Sequence, residues 1–302
     1  MCYMKQKQRL QSWLCLLGVL FLSACAAAPT PQLVAPYSAQ GTPLNLAPIL
    51  AGKEAVWRPD GKSFVFTHKG LWLAPADGSE PTRLTDSGHS PAWSPDGRYL
   101  AYADSGIWLL DVESGAQRYL FAEGDSPAWV DNKRLIFSQR GRLDVFYMDT
   151  PGIWQYVGEG LSAAHAPGGG SLLVERFNPQ TWGFDLYNMD GEQTLPPSGG
   201  TKDVPLPPEL LTFLTTKKLI PGADSPAWSP DGQYILYSSP GIWVARADGK
   251  EPQRLTVHGQ EPSWSPDGRY ILFSFGGRVW RLDSPYEIKP PSSIQESNEG
   301  IK

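Results

Sequence analysis

From Ala55 onward apolar residues come in short runs, such as Tyr99-Leu100-Ala101-Tyr102-Ala103 and Ile107-Trp108-Leu109-Leu110, set off by Gly, Pro, Asp and Ser. Alternating runs of that length between turn formers predict β-strands. The runs recur as a unit. SPAWSPDGRYLAYADSGIWLLD from Ser90 returns as SPAWSPDGQYILYSSPGIWVAR from Ser225, EPSWSPDGRYILFSFGGRVWRLD from Glu261 and EAVWRPDGKSFVFTHKGLWLAP from Glu54. A weaker copy starts at Ser126 and a degenerate one, SAAHAPGGGSLLVERF, at Ser162. Anchored on Trp57, Trp93, Trp129, His165, Trp228 and Trp264, the units are spaced 36, 36, 36, 63 and 36 residues apart. That is six units of 36 residues and one insertion of 27.

Each unit parses into four strands. Strand A runs through the anchor. The turn after it, Ser94-Pro95-Asp96-Gly97 in the second unit, has a Pro that presets φ, an Asp that binds nearby amides and a Gly that accepts positive φ. Strand B is the RYLAYA type, a Gly-containing hairpin leads to strand C, and strand D ends nine residues before the next anchor, at Leu84, Leu120, Tyr156, Leu219 and Leu255. The fold expected is all-β, a six-bladed β-propeller of four-stranded antiparallel blades, because such sheets cover their faces by stacking in a ring. The sixth unit has no strand D, and Pro43-Leu44-Asn45-Leu46 matches Pro252-Gln253-Arg254-Leu255. The N-terminal segment is therefore expected to complete the last blade and fasten the ring.

Composition agrees, with 31 Gly, 29 Pro and 12 Trp in 302 residues. Lys5, Lys7 and Arg9 precede an apolar run from Trp13 to Leu22 and the small residues Ser23 and Ala24, the pattern of a secretory leader and too short for a membrane span. Leu22-Ser23-Ala24-Cys25 resembles the lipobox of bacterial lipoproteins, which implies acylation at Cys25 and a place in the cell envelope, outside the cytoplasm and anchored to a membrane. The organisation expected is a leader over 1–24, a flexible Pro-rich tether over 25–41, the propeller over 42–283 with an insertion at about 191–215, and a disordered tail over 284–302. Cys2 and Cys15 lie in the leader, so no disulfide holds the domain. Without the leader, 23 cations face 31 acids, a balance that excludes a nucleic-acid partner.

The W-S-P-D-G repeats resemble those of the TolB-like six-bladed propellers, with WD40-like PD40 repeats, across the whole domain. With the lipobox, this resemblance gives the reading of a lipid-anchored module that binds or scaffolds protein or peptide partners, non-enzymatic rather than catalytic, with no cofactor assigned. The α/β domain that precedes the propeller in TolB has no counterpart, and no G-x-S-x-G elbow is present.

The recurring residues have structural work to do. Trp57, Trp93, Trp129, Trp228 and Trp264 are expected between blades, and Trp72, Trp108, Trp243 and Trp280 in packing rather than as a sugar platform. Asp60, Asp96, Asp231 and Asp267 are turn formers.

Function is sought where the units differ. The D-to-A loops open at the channel mouth and are expected to be exposed. They carry Lys53, Glu54, His89, Asp125, Asp224, Gln260 and Glu261, an acidic rim for a cationic guest, or else a ring of residues capping local turns. His68, His89 and His258 share that face, but no short ligand spacing marks a metal site and none is assigned. The insertion carries Leu210, Leu211, Phe213 and Leu214 on a short capped helix, either a lid or a partner surface on the opposite face. The readings left open are a binding module, a metal-assisted enzyme acting on acidic glycans, and a small-solute receptor at the mouth.

Overall fold

The computed structural model describes residues 30–34, 44–149, 154–167, 171–190 and 216–288. Cys25, Pro43, the insertion with Leu210, Leu211, Phe213 and Leu214, and residues 289–302 lie outside the described residues. No helix among the described residues is long and apolar enough to cross a membrane.

The strands form six four-stranded antiparallel sheets. After a first strand, β1 (Leu46–Ala51), blade one is β2 (Lys53–Trp57), β3 (Ser63–Thr67), β4 (Leu71–Pro75) and β5 (Thr82–Arg83). Blade two is β6 (His89–Trp93), β7 (Tyr99–Ala103), β8 (Ile107–Asp111) and β9 (Gln117–Phe121). Blade three is β10 (Asp125–Trp129), β11 (Arg134–Gln139), β12 (Arg142–Tyr147) and β13 (Trp154–Glu159). Blade four is β14 (Ser162–His165), β15 (Ser171–Asn178), β16 (Gly183–Asp190) and β17 (Thr216–Pro221). Blade five is β18 (Asp224–Trp228), β19 (Tyr234–Ser238), β20 (Ile242–Arg246) and β21 (Gln253–Arg254). Blade six is β22 (Gln260–Trp264), β23 (Tyr270–Phe275) and β24 (Arg278–Asp283), and β1 is its outer strand.

Each A strand packs against the A strands of the blades on either side, and β22 against β2, so the sheets form a closed ring. The fastening strand lies slightly later than the sequence match places it. It pairs from Leu46 with Leu282 to Ala51 with Arg278, with an irregularity between Pro48 and Leu50, while Asn45 exchanges hydrogen bonds with Asp283. Leu44 packs in the last blade beside Leu46.

The turns follow the chemistry of their residues. Gly97 N–H donates to Ser94 O at 2.8 Å with Gly97 at φ +70°, and the Asp96 carboxylate accepts from Ser94 Oγ at 2.6 Å and Arg98 N–H at 3.1 Å. Asp231 and Asp267 repeat this in blades five and six. Those carboxylates are consumed locally. The anchoring tryptophans are core: Trp57, Trp93, Trp129 and Trp264 are buried, and the Trp129 and Trp228 indoles donate to Ala92 O and Ala164 O of the preceding blade, both at 3.1 Å. The second set donates to the B–C turns, Trp72 to His68 O and Trp108 to Asp104 O, while Arg83 and Arg254 cover the rings of Trp72 and Trp243.

Two segments outside the repeats also pack on the ring. Leu33 forms a bridge with Thr256, flanked by Val34 N–H donating to Leu255 O and Val257 N–H to Gln32 O. After the last strand, Tyr286 lies against Tyr234 with ring centroids 4.5 Å apart and Ile288 is buried over the Gly268 turn. Both segments cover the join between blades five and six.

Candidate functional site

Antiparallel order puts the A–B and C–D turns on one face and the B–C turns and D–A loops on the other, around the channel mouth. The D–A loops must reach from the rim to the axis. Gly88 shows how closely they pass the blade, since a Cβ there would lie 2.7 Å from the Tyr102 ring and the backbone has φ +113°.

Each A strand then begins with a bulge. In five blades the register against strand B shifts, and the second residue of strand A has positive φ: Glu54 (51°), Ser90 (49°), Ser126 (50°), Ser225 (51°) and Glu261 (55°). A bulge takes one amide out of the ladder, and a buried amide needs another acceptor. Carboxylates supply it. Ser90 N–H donates to Glu54 Oε2 at 2.9 Å, Glu54 N–H to Glu261 Oε2 at 3.1 Å and to Ser274 Oγ at 2.9 Å, and Ser126 N–H to Asp125 Oδ1 at 2.5 Å. Thus Glu261 of blade six holds blade one, and Glu54 of blade one holds blade two.

Blade four is built differently. Strand β14 pairs with β15 without a register shift, and the acceptor comes from strand B: Glu175 Oε2 receives Ser162 Oγ at 2.9 Å and Ser225 N–H of blade five at 3.2 Å. Glu175 is not among the residues singled out in the sequence. The residue at the same register position is Thr67, Ala103, Ser138, Ser238 or Ser274 in the other blades, so a Glu there is a departure from the repeat that could have marked it.

Electrostatics separates the two glutamates at the join of blades six and one. Burial would raise the Glu54 pKa, but the Lys53 ammonium at 2.6 Å, the Ser90 amide and Thr67 Oγ1 outweigh it and lower it. Burial and the neighbouring Glu54 charge raise Glu261. Lys53 is raised in turn: burial opposes it, and Glu54, then Glu261 and Asp125 across the mouth, prevail.

The structure therefore divides the seven predicted mouth residues. Glu54 and Glu261, expected to be exposed, are recessed into bonds between blades, with the Glu54 side chain 15% exposed. Of the first residues of the A strands, Lys53, His89 and Gln260 are the accessible ones, the Lys53 and His89 side chains 51% and 32% exposed, while Asp224 is half-buried and Asp125, 19% exposed, accepts from the Ser126 amide and Ser90 Oγ. His89 Nδ1 lies 3.1 Å from Ser90 Oγ and 3.7 Å from Asp125 Oδ1. Asp224 pairs in register with Ser238, whose buried hydroxyl has no hydrogen-bond partner among the described residues.

The three histidines are used separately. His258 stacks on Phe275 at 5.0 Å, His68 is part of the B–C turn of blade one, and His89 is held by Ser90. Among the described residues no three of His, Cys, Asp and Glu are grouped as a metal ion would require.

No family model and no curated protein matches the sequence. Solved structures do match. A gluconolactonase from Xanthomonas campestris is 13% identical over 84% of this chain and 94% of its own, with a TM-score of 0.61. The Cps50 (Swd1) β-propeller domain of Myceliophteria thermophila is 11% identical over 82% of this chain and 100% of its own, TM-score 0.54. The tricorn protease is 15% identical over 81% of this chain and 27% of its own, TM-score 0.55. At these identities the likeness is one of fold.

Proposed function

We propose that the chain is a lipid-anchored binding module of the bacterial cell envelope that receives a protein or peptide partner at the channel mouth. The observation that carries this reading is the ring of unlike residues at the starts of the A strands, Lys53, His89, Asp125, Asp224 and Gln260, presented on bulges of which those after Lys53, His89 and Asp224 are held by Glu261, Glu54 and Glu175 and that after Asp125 by its own carboxylate. A fixed backbone with variable, accessible side chains suits recognition. The mixed charge of that ring suits a polar, partly cationic peptide. The lipobox-like Leu22-Ser23-Ala24-Cys25 and the W-S-P-D-G repeats support the anchor and the TolB-like relationship.

Catalysis has one observation in its favour, the Glu54 and Glu261 pair with acidities pushed apart, as acid and base pairs often are. A gluconolactonase also shares the fold. Against that reading, both carboxylates are engaged with backbone amides that the ring needs.

The test is a photo-crosslinking residue at position 260, at the mouth, compared with one at position 62, in the A–B turn of blade one on the opposite face; both positions are exposed. In intact cells the first is expected to give a discrete protein adduct and the second none. Adducts from position 62 alone would move the binding surface to the turn face.

A further inference from the structure

The B–C hairpin of blade four is longer than its counterparts. Strands β15 and β16 have eight residues each, against five in β3 and β4, and pair to Asn178 with Gly183. Glu175 marks the level of the mouth, so Arg176, Phe177 and Asn178 carry the hairpin about 10 Å beyond it. At the tip stands Trp182, 63% exposed and at φ +55°. Phe177 supports it edge-on at 6.1 Å, and Phe184 packs on Phe177 at 5.9 Å. The projection is braced: Asn178 Oδ1 accepts from Gln180 N–H at 2.9 Å, and Asn178 Nδ2 donates to Asp185, which Lys218 and the Gly222 amide also hold.

A second observation says what this tip faces. Residues 32–34 run antiparallel to Leu255–Val257, and that stretch of blade five leads from strand D towards the mouth face. Going backwards along the chain, Pro31 therefore stands at the mouth-face end of blade five, on the same face as the hairpin tip. Six residue steps separate it from Cys25, a reach of at most about 20 Å. Other turns of the same face carry the exposed cations Lys69 and Arg278, along with Arg140, which is paired with Glu123.

We propose that the Trp182 hairpin docks on the lipid bilayer to which Cys25 is fastened, so that the channel mouth faces the membrane. The inference rests on the anchoring reading above. Tryptophan on a rigid tip suits the bilayer interface, and the turn cations suit anionic headgroups. The mouth carboxylates are set back behind the projecting hairpin, away from those headgroups. A partner at the mouth would then be taken from the membrane surface.

The test uses the full-length protein, purified from membranes and reconstituted into phosphatidylethanolamine and phosphatidylglycerol vesicles containing a spin-labelled lipid. A fluorophore is placed on Gln180→Cys, in the hairpin turn, or on Lys250→Cys, in the exposed C–D turn of blade five. Flotation reports anchoring and quenching reports depth. The expected result is flotation of both, with quenching at position 180 at least about threefold that at position 250, and loss of most of that difference when Trp182→Ala is added. Flotation with equal quenching overturns the docking and leaves the hairpin to a soluble partner. Failure to float overturns the anchor, and the docking with it.

Discussion

A chain truncated to begin at Gly52 will not fold to a cooperative monomer, whereas one that begins at Leu44 will. The shorter chain lacks β1, which supplies the outer strand of blade six. It loses the hydrogen bonds to β24 and the burial of Leu46, Ile49 and Leu50 against blades six and one. Several strand hydrogen bonds at about 1 kcal/mol each, with three partly buried apolar side chains at about 1–2 kcal/mol each, sum to roughly 5–10 kcal/mol. That is the size of a typical domain's entire stability. It also leaves β24 as an open sheet edge, which favours aggregation. The chain beginning at Leu44 loses the contacts of residues 31–34 and should only melt somewhat earlier. Thermal unfolding with size-exclusion chromatography reads both; equal melting of the two would show that β1 does not close the ring.

Glu54→Gln and Glu261→Gln will move stability in opposite directions at neutral pH. The Glu54 pKa is lowered in the folded state, so its contribution is present above the unfolded value and disappears as pH falls through the folded one. Replacing it removes a charge that Lys53 needs and flattens the loss of stability in acid. The Glu261 pKa is raised, so folding favours its protonated form and its ionisation weakens the fold as pH rises from the unfolded value through the folded one. The glutamine at 261 still accepts from Glu54 N–H without the cost of a buried charge, so this variant gains stability at neutral pH. Denaturant unfolding at neutral pH and below about pH 4 separates the two. Equal destabilisation of both, with the acid dependence of the parent chain, would falsify the assignment.

What the sequence made legible was whatever repeats. Spacing located every blade, and the turn chemistry of Asp96, Asp231 and Asp267 and the core role of Trp129 follow from it. Closure was also readable, although the strand, Leu46–Ala51, begins where the Pro43 to Leu46 match ends. The bulges at the mouth were not. Positive φ falls there on Glu and Ser, residue types that give no warning of it, and the bulge redirects Glu54 and Glu261 from solvent to a neighbour's amide. Glu175 was hidden because its blade lost the anchoring Trp along with the regular start of strand A. Docking of Leu33, Tyr286 and Ile288 depends on single apolar residues in Pro-rich, polar stretches without a period.

The central claim is that Glu54 and Glu261 are committed to amides of the next blade, while Asp125, although it accepts from the Ser126 amide and Ser90 Oγ, and Asp224 carry the charges that meet the partner. The most direct measurement is partner capture by the full-length protein from solubilised native membranes, normalised to folded protein. It compares the Asp125→Asn/Asp224→Asn variant with the Glu54→Gln/Glu261→Gln variant. The account predicts that the first retains its melting temperature and loses captured partner by about tenfold, because two rim charges that meet the partner are gone. The second should capture as the parent chain does. An Asp125→Asn/Asp224→Asn variant that retains the same partners at the same yield, or an equal loss in both variants, would contradict it.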